Sequence, residues 1–404
     1  MTTAEPILYN PFEPGYFDDP YAQFAQLREL DPVHATLDGN WMLFRYDDAF
    51  RVLRDPTLSV DDRNIRSSAK SEQFSDIRGT DKEVRSMLGL DPPDHDRLRR
   101  LVSKAFTPRA IEALRPRVQQ LVDEALDRVA GSGRIDLIAD LAFPLPFQVI
   151  SEMLGMPDAD MLLIREWSNH LVETLDPIIS DDDARTAIES SLRMSEYLQE
   201  VIAWKRANPA DDMLTALIAA EEDGDRLSSA ELGAQVSLLF IAGHETTVNL
   251  IGNGTRALLH HPDQWGRLLT EPDLITSGID ELLRFDPPVQ ISRCITLADM
   301  EIDGHTIEAG SFMATVLGSV NRDRAKWGPT ADQLDLSRCD AGQHLSFGSG
   351  HHYCLGASLA KLEGQVAIGT FVRRFPHAQL DDGPAEWNGR INLRGLERLP
   401  ITLG

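Results

Sequence analysis

The chain has 404 residues, and its 39 lysines and arginines against 64 aspartates and glutamates leave a formal net charge of −25, which argues against a nucleic-acid backbone as partner. Hydrophobic residues make up 42% and charged residues 25%, an ordinary globular balance that excludes intrinsic disorder and can bury a sizeable core. Cys294, Cys339 and Cys354 are too few and too unevenly spaced for a disulfide framework, and no pair forms a Cys-x-x-Cys, so a reducing cytoplasm is expected.

Met1 to Asp18 has no positively charged start and no apolar run, so neither a signal peptide nor an anchor is read there. The first strand-like material is Trp41-Met42-Leu43-Phe44. Helical periodicity then dominates residues 96 to 260: Leu98, Leu101, Val102 and Ala105 recur at three and four, as do Ile111, Leu114, Val118, Leu121, Val122 and Leu126. The longest helix is expected from Ser228, where Ser228 and Glu231 have capping-box spacing, to about His260, ahead of Pro262. That is roughly 45 Å at 1.5 Å per residue.

The most apolar stretch of that helix, Val236 to Gly243, stops at His244 and Glu245, well short of the ~18 residues of a membrane span. Its middle, Ala242-Gly243-His244-Glu245-Thr246-Thr247, places a glycine, a carboxylate and two hydroxyls where an interior helix favours Leu and Ala. Such rule-breaking marks a candidate site, with a satisfied polar kink as the plain alternative. A His-Glu-x-x-His metalloprotease reading fails because Val248 stands at the second ligand position. Glu281 and Arg284 are spaced for an intrahelical ion pair, most of which are solvated and structural, on a short helix ending before Pro287-Pro288. Alternating segments from Val289 to Val320, broken at Asp303-Gly304 and Ala309-Gly310, predict small sheets beside the helices. No linker, repeat or low-complexity tract interrupts the chain, so residues 1–404 read as a single domain.

The sharpest pattern is Phe347-Gly348-Ser349-Gly350-His351-His352-Tyr353-Cys354-Leu355-Gly356, followed by an amphipathic run from Ala357 to Arg374. Cys354 thus stands at a helix N-terminus, where free amides and the dipole are expected to lower its pKa, while the glycines admit a flat ligand close to the backbone. An inert buried cysteine is the bland alternative. A zinc site drawing on Cys339, His344, His351, His352 and Cys354 matches no standard spacing. A phosphate cradle fails because Tyr353 stands where glycine is needed and no Lys-Ser/Thr follows. Arg97, Arg99, Arg100, Lys104 and Arg109 concentrate positive charge in an acidic chain, either as a solvated face or toward anionic groups.

Taken together, these residues resemble the cytochrome P-450 family of haem-thiolate monooxygenases, specifically its soluble bacterial members, and the match runs in order over most of the chain. The family signature Phe-x-x-Gly-x-[His/Arg]-x-Cys-x-Gly is met by Phe347, Gly350, His352, Cys354 and Gly356, with Gly348 also in register. The oxygen-activation motif is met by Ala242 to Thr247, and Glu-x-x-Arg by Glu281 and Arg284, with Arg338 as third member of that network. Ser346 and Lys361 are mild departures, standing where relatives often have Ala and Arg.

The resemblance implies a mainly α fold with small β-sheets, haem b (iron protoporphyrin IX) lying between a long central helix and the Cys-bearing loop and helix. Cys354 is then the iron ligand, with Phe347, Gly348 and the amides near Gly356 around its sulfur. His95 and Arg99 in Asp91-Pro92-Pro93-Asp94-His95-Asp96-Arg97-Leu98-Arg99, with Arg293 and His352, are the implied propionate partners. Ala242 and Gly243 make room for dioxygen, Thr246 hydrogen-bonds it, and Glu245 delivers protons. The implied reaction inserts one oxygen atom of O2 into an apolar small molecule; a peroxygenase or isomerase would not need Glu245 and Thr246. The chain ends about fifty residues after Cys354, leaving no room for a fused reductase domain. Electrons are therefore expected from a separate ferredoxin and its NAD(P)H-dependent reductase, docking at Arg97, Arg100 and Lys104 with Lys361 and Arg373. A cytoplasmic monomer is implied. The substrate pocket is expected from Asp61 to Gly89, the helices around His170 to Leu198, Phe240, and Val289 to Ile291.

Overall fold

The computed structural model describes residues 7–66, 85–104, 106–156, 161–176, 179–222 and 225–404. Ala105 of the expected helical run, residues 67–84 of the expected pocket loop, and the first six residues lie outside these. The central helix runs Ser229–Leu259, with Ser228 as N-cap and the full capping box with Glu231. Most of the described chain is helical, above all from Asp94 to Phe285, and small sheets gather beside the helices.

The largest sheet has five strands in the order Val33–Ala35, Trp41–Leu43, Phe312–Val316, Ile291–Thr296, Leu58–Ser59. Its pairings are antiparallel except Trp41–Leu43 with Phe312–Val316, which run parallel with Ala314 opposite Met42. Asp303 and Gly304 take left-handed φ of 49° and 81° between the hairpin strands Met300–Ile302 and His305–Ile307, where the turn was expected. A three-stranded sheet joins Gln379–Leu380, Pro400–Thr402 and Arg134–Asp136.

The helix after the cysteine runs Ala357–Arg374 and lies against the central helix. Gly364 sets the approach: a Cβ there would come 2.7 Å from Ile279 Cδ1 and 3.1 Å from Leu250 Cδ2. Around this contact Leu250, Ile251, Leu282, Leu362, Val366 and Phe371 form part of the main apolar core. A second cluster, with Phe147, Ile150, Ile164, Trp167, Leu239 and Phe240, fills the other side of the central helix.

The Glu281/Arg284 pair on the helix Ile275–Phe285 is wholly buried rather than solvated, each side chain 0% exposed. Arg284 donates through Nε and Nη2 to the two Glu281 oxygens at 2.6 and 2.8 Å, and through Nη1 to the carbonyls of Asn321 and Ala331, both at 2.7 Å. Arg338 Nε lies 3.2 Å from Glu281 Oε2, so the expected third member is in place. Asn321, so held, donates from Nδ2 to Ser346 Oγ (2.8 Å) and accepts from the Leu345 amide (2.8 Å), while Ser346 Oγ donates to the Leu283 carbonyl (2.7 Å). The network therefore fixes the start of the cysteine loop. Because a buried charge stripped of its partner is left uncompensated, Glu281→Ala is expected to cost about 3–5 kcal/mol, read as a lowered urea midpoint; a midpoint within 0.5 kcal/mol of the parent, about the scatter of a neutral surface change, would refute this.

Candidate functional site

The cysteine loop is shaped by two glycines. Gly348 and Gly350 both take left-handed φ, 68° and 70°, and a Cβ on Gly350 would sit 2.5 Å from the Leu53 carbonyl oxygen, so the loop presses onto residues 53 and 54 where only glycine fits. The Cys354 amide donates to the Phe347 carbonyl at 2.9 Å, closing the turn, and Gly356 is the N-cap of the following helix. Cys354 has open surface although protein surrounds it at depth. The expected fall in its pKa is corrected here: burial pushes the Cys354 thiol up, and the amides of Gly356 and Ala357 together with Arg99 pull it down by less. A helix terminus carries only about half a unit charge, and in this chain desolvation outweighs it.

Beside the loop the structure gathers His95, His352 and Arg99. His95 enters on the helix Asp94–Ser103, 1% exposed, with Nδ1 against Asp96 Oδ1 at 2.8 Å. Its ring lies 4.2 Å from that of His352. Burial holds both imidazoles below their ordinary pKa, His352 down to about 4. Arg99 Nη2 donates to the Tyr353 carbonyl, next to the cysteine, at 2.6 Å. His95 Nε2 is buried with no partner among the described residues, an uncommon state for a polar atom. An anionic group bound here would supply that partner and draw a second proton onto the ring. Arg293, on the strand Ile291–Thr296, is paired elsewhere: its Nη1 lies 2.9 Å from Asp62 Oδ1. These residues fit a flat ligand bearing carboxylates, with a thiolate-binding metal at its centre.

On the central helix Thr246 Oγ1 donates back to the Ala242 carbonyl at 3.0 Å and Thr247 Oγ1 to that of Gly243 at 3.4 Å, so the hydroxyls compete with the helix ladder as the sequence suggested. Ala242 has open surface, and a Cβ on Gly243 would already touch Ile150 at 3.4 Å. His244 points away into an aromatic cage of Phe143, Phe147 and Phe240, with Nδ1 3.0 Å from the Phe240 carbonyl. Phe240 itself is fully buried, edge-on to Phe147 with ring centroids 5.1 Å apart, so it belongs to the core and not to an open pocket wall.

Glu245, next to Thr246, is buried and paired with Arg390 Nη1 at 2.6 Å. Arg390 was missed in the sequence; it follows Asn388-Gly389 in a C-terminal loop, and nothing local marks it. Arg97, expected on a docking face, is instead ion-paired to Glu231, the capping residue of the central helix. Arg99, Arg100 and Lys104 line a groove with Asp96 and Ser103. Lys361 is bound to Asp280 at 2.5 Å. No three of the residues weighed for zinc come together among those described, and no described helix is long and apolar enough to cross a membrane.

Burial lowers the His244 pKa, so the folded chain resists a proton that the unfolded chain accepts below about pH 6.5. Stability is therefore lost as pH falls below that value. His244→Phe, suited to the aromatic cage, is expected to flatten the decline in urea stability between about pH 6.5 and 5.5; a parent-like slope would count against this assignment.

A family model described as Cytochrome P450 matches residues 41–389. Vitamin D(3) 25-hydroxylase of Pseudonocardia autotrophica is 42% identical, covering 100% of this chain and 98% of its own. The 6-deoxyerythronolide B hydroxylase of Saccharopolyspora erythraea is 36% identical, covering 100% of both chains. Among solved structures, the Bacillus subtilis bacillaene polyketide synthase cytochrome P450 PksS aligns with a TM-score of 0.89 at 35% identity, over 98% of this chain and 100% of that one.

Proposed function

The chain belongs to the cytochrome P450 family, and from that premise we propose that it hydroxylates an apolar small molecule, with electrons passed by a ferredoxin from an NAD(P)H-dependent reductase. The enzyme class follows from the family: a haem-thiolate monooxygenase that uses dioxygen. The observation that carries the site assignment is the unpartnered His95 Nε2, buried beside His352 and Arg99 at the edge of the Cys354 loop.

In this reading haem b is the cofactor and Cys354 would bind its iron as the thiolate. When bound, the haem supplies the metal at which dioxygen is activated, the thiolate favouring O–O cleavage. His95, His352 and Arg99 would hold the two propionates by charge-assisted bonds, and Arg293 would join them by exchanging its Asp62 partner for a propionate. Phe347 and Gly348, with the amides beyond Gly356, enclose the sulfur. Ala242, which has open surface, and Gly243 would leave room on the central helix for a small ligand. The Thr246 hydroxyl donates to the Ala242 carbonyl and keeps its oxygen free to accept a bond. Glu245 carries protons toward it, under the control of Arg390.

An apolar substrate is supported by the partly open Val289 and Ile291. Hydroxylation is supported by the names of two relatives over their full length. For electron supply, Arg100 and Lys104 in their groove suit an acidic ferredoxin; Arg97 is committed in part to Glu231. Three cysteines and no disulfide agree with a cytoplasmic enzyme, acting as a single-domain monomer.

The test is the absorption spectrum of the reduced protein under carbon monoxide, beside Cys354→Ser. A strongly red-shifted Soret band in the parent alone is expected; haem without that band, or a folded protein without haem, would overturn the assignment. Thr246→Ala is then expected to lower product formed per oxygen consumed by about 10-fold or more, with peroxide released instead, the range for loss of one proton-transfer group. Unchanged coupling would favour the peroxygenase or isomerase reading.

A further inference from the structure

The carboxylate of Glu245 is held by a loop that also holds the end of another helix. The helix Met161–Glu173 packs Ile164 and Trp167 into the apolar cluster of Leu239 and Phe240. Just beyond its end, Asp176 accepts the amides of Ile391 through Oδ2 (3.1 Å) and Asn392 through Oδ1 (2.8 Å), and Asn392 Nδ2 donates to the Leu175 carbonyl (3.2 Å). On its other flank the loop is tied to the sheet: the Gln290 amide donates to the Asn392 carbonyl (2.8 Å), the Ile291 amide to Asn392 Oδ1 (3.1 Å), and the Arg394 amide to the Pro288 carbonyl (2.8 Å). Between these anchors sits Arg390, 15% exposed, with its guanidinium 2.6 Å from Glu245 Oε1.

We propose that Arg390 is a positioning residue that couples the seating of the helix Met161–Glu173 to the orientation of Glu245. The geometry is a chain of three links, helix end to loop through Asp176, loop to guanidinium through the backbone at 390, and guanidinium to the central helix through Glu245. An isolated surface pair is worth little. This one is largely removed from water, where loss of one partner leaves the other unsatisfied. Unseating the helix end removes two amide bonds from the loop and loosens Arg390 on that flank, while the sheet flank stays tied; the Glu245 carboxylate is then held less firmly. Seating it fixes the carboxylate at the place where Thr246 adjoins it. With the helix end unseated, Thr246 thus lacks a fixed carboxylate beside it. This consequence for catalysis rests on the function proposed above, while the mechanical link does not.

The link is read by amide hydrogen exchange in the resting protein. Asp176→Ala and Arg390→Gln are each expected to speed exchange at the last turn of the Met161–Glu173 helix and in residues 388–393 by about 5-fold or more, as for loss of a local anchor. The decisive variant is Glu245→Gln, placed on the central helix: it too is expected to speed exchange at the end of Met161–Glu173, and combining it with Arg390→Gln is expected to add nothing. If Glu245→Gln leaves that helix at the parental rate, the coupling is overturned, whatever Asp176→Ala does. Should Asp176→Ala fail to fold, Asp176→Asn keeps one acceptor and is expected to give about a 2-fold change. The carbon monoxide band of the same preparations reports the haem-thiolate reading separately: its loss with the exchange pattern intact would end that reading and leave the coupling standing.

Discussion

The position of Cys354 depends on a buried charge. Arg284 binds both oxygens of Glu281 and three separate carbonyls, at Asn321, Ala331 and Gln333, so a single guanidinium gathers a helix and the long irregular segment that leads to the cysteine. Irregular backbone has no ladder of its own to satisfy its carbonyls. Here a side chain with five donors in a fixed fork does so. Asn321 passes the constraint on to Leu345 and Ser346, and the cysteine loop begins from a fixed point. Removing water from such a pair is costly, and what is obtained in return is placement of a loop that carries little regular structure.

A comparable economy of contacts shapes the other wall. The central helix spends its middle on polar residues that weaken its own ladder, Thr246 and Thr247 bonding backward to Ala242 and Gly243. It keeps its path because its flanks are overdetermined: the capping box at one end, the His244 cage beside the site, and the Gly364 contact with the cysteine helix further on. Local weakness at a reactive position is carried by packing elsewhere.

Much of this was legible in the sequence because it is local. A capping box, a run of glycines before a cysteine, and a glycine-carboxylate-hydroxyl interruption of an apolar helix each depend on neighbours within a few positions, and each appears where it was read. The resemblance placed Arg338 in the Glu281 network correctly. What stayed hidden is long-range or energetic. Arg390 and Glu245 are 145 positions apart, and no periodicity links them; the same holds for Arg293 with Asp62 and for Arg97 with Glu231. Phe240 looked like a pocket residue because hydrophobicity does not say which side of a helix faces a cavity. The direction of the Cys354 shift was missed because position at a helix start is visible in a sequence and depth of burial is not.

The five-stranded sheet has a consequence for how the chain is made. Among the described residues Trp41–Leu43 finds its parallel partner in Phe312–Val316, about 270 residues later, which at bacterial and eukaryotic synthesis rates of about 5–20 residues per second is roughly 15–50 s of waiting. During that interval the early hairpin Val33–Ala35 with Trp41–Leu43 has an unpaired edge, and a two-stranded hairpin is marginal by itself. The N-terminal segment thus cannot be completed while it emerges. Its native state is postponed until four-fifths of the polypeptide exists, and the cysteine loop, whose Gly350 turn rests on residues 53 and 54, is among the last features of the molecule to be assembled.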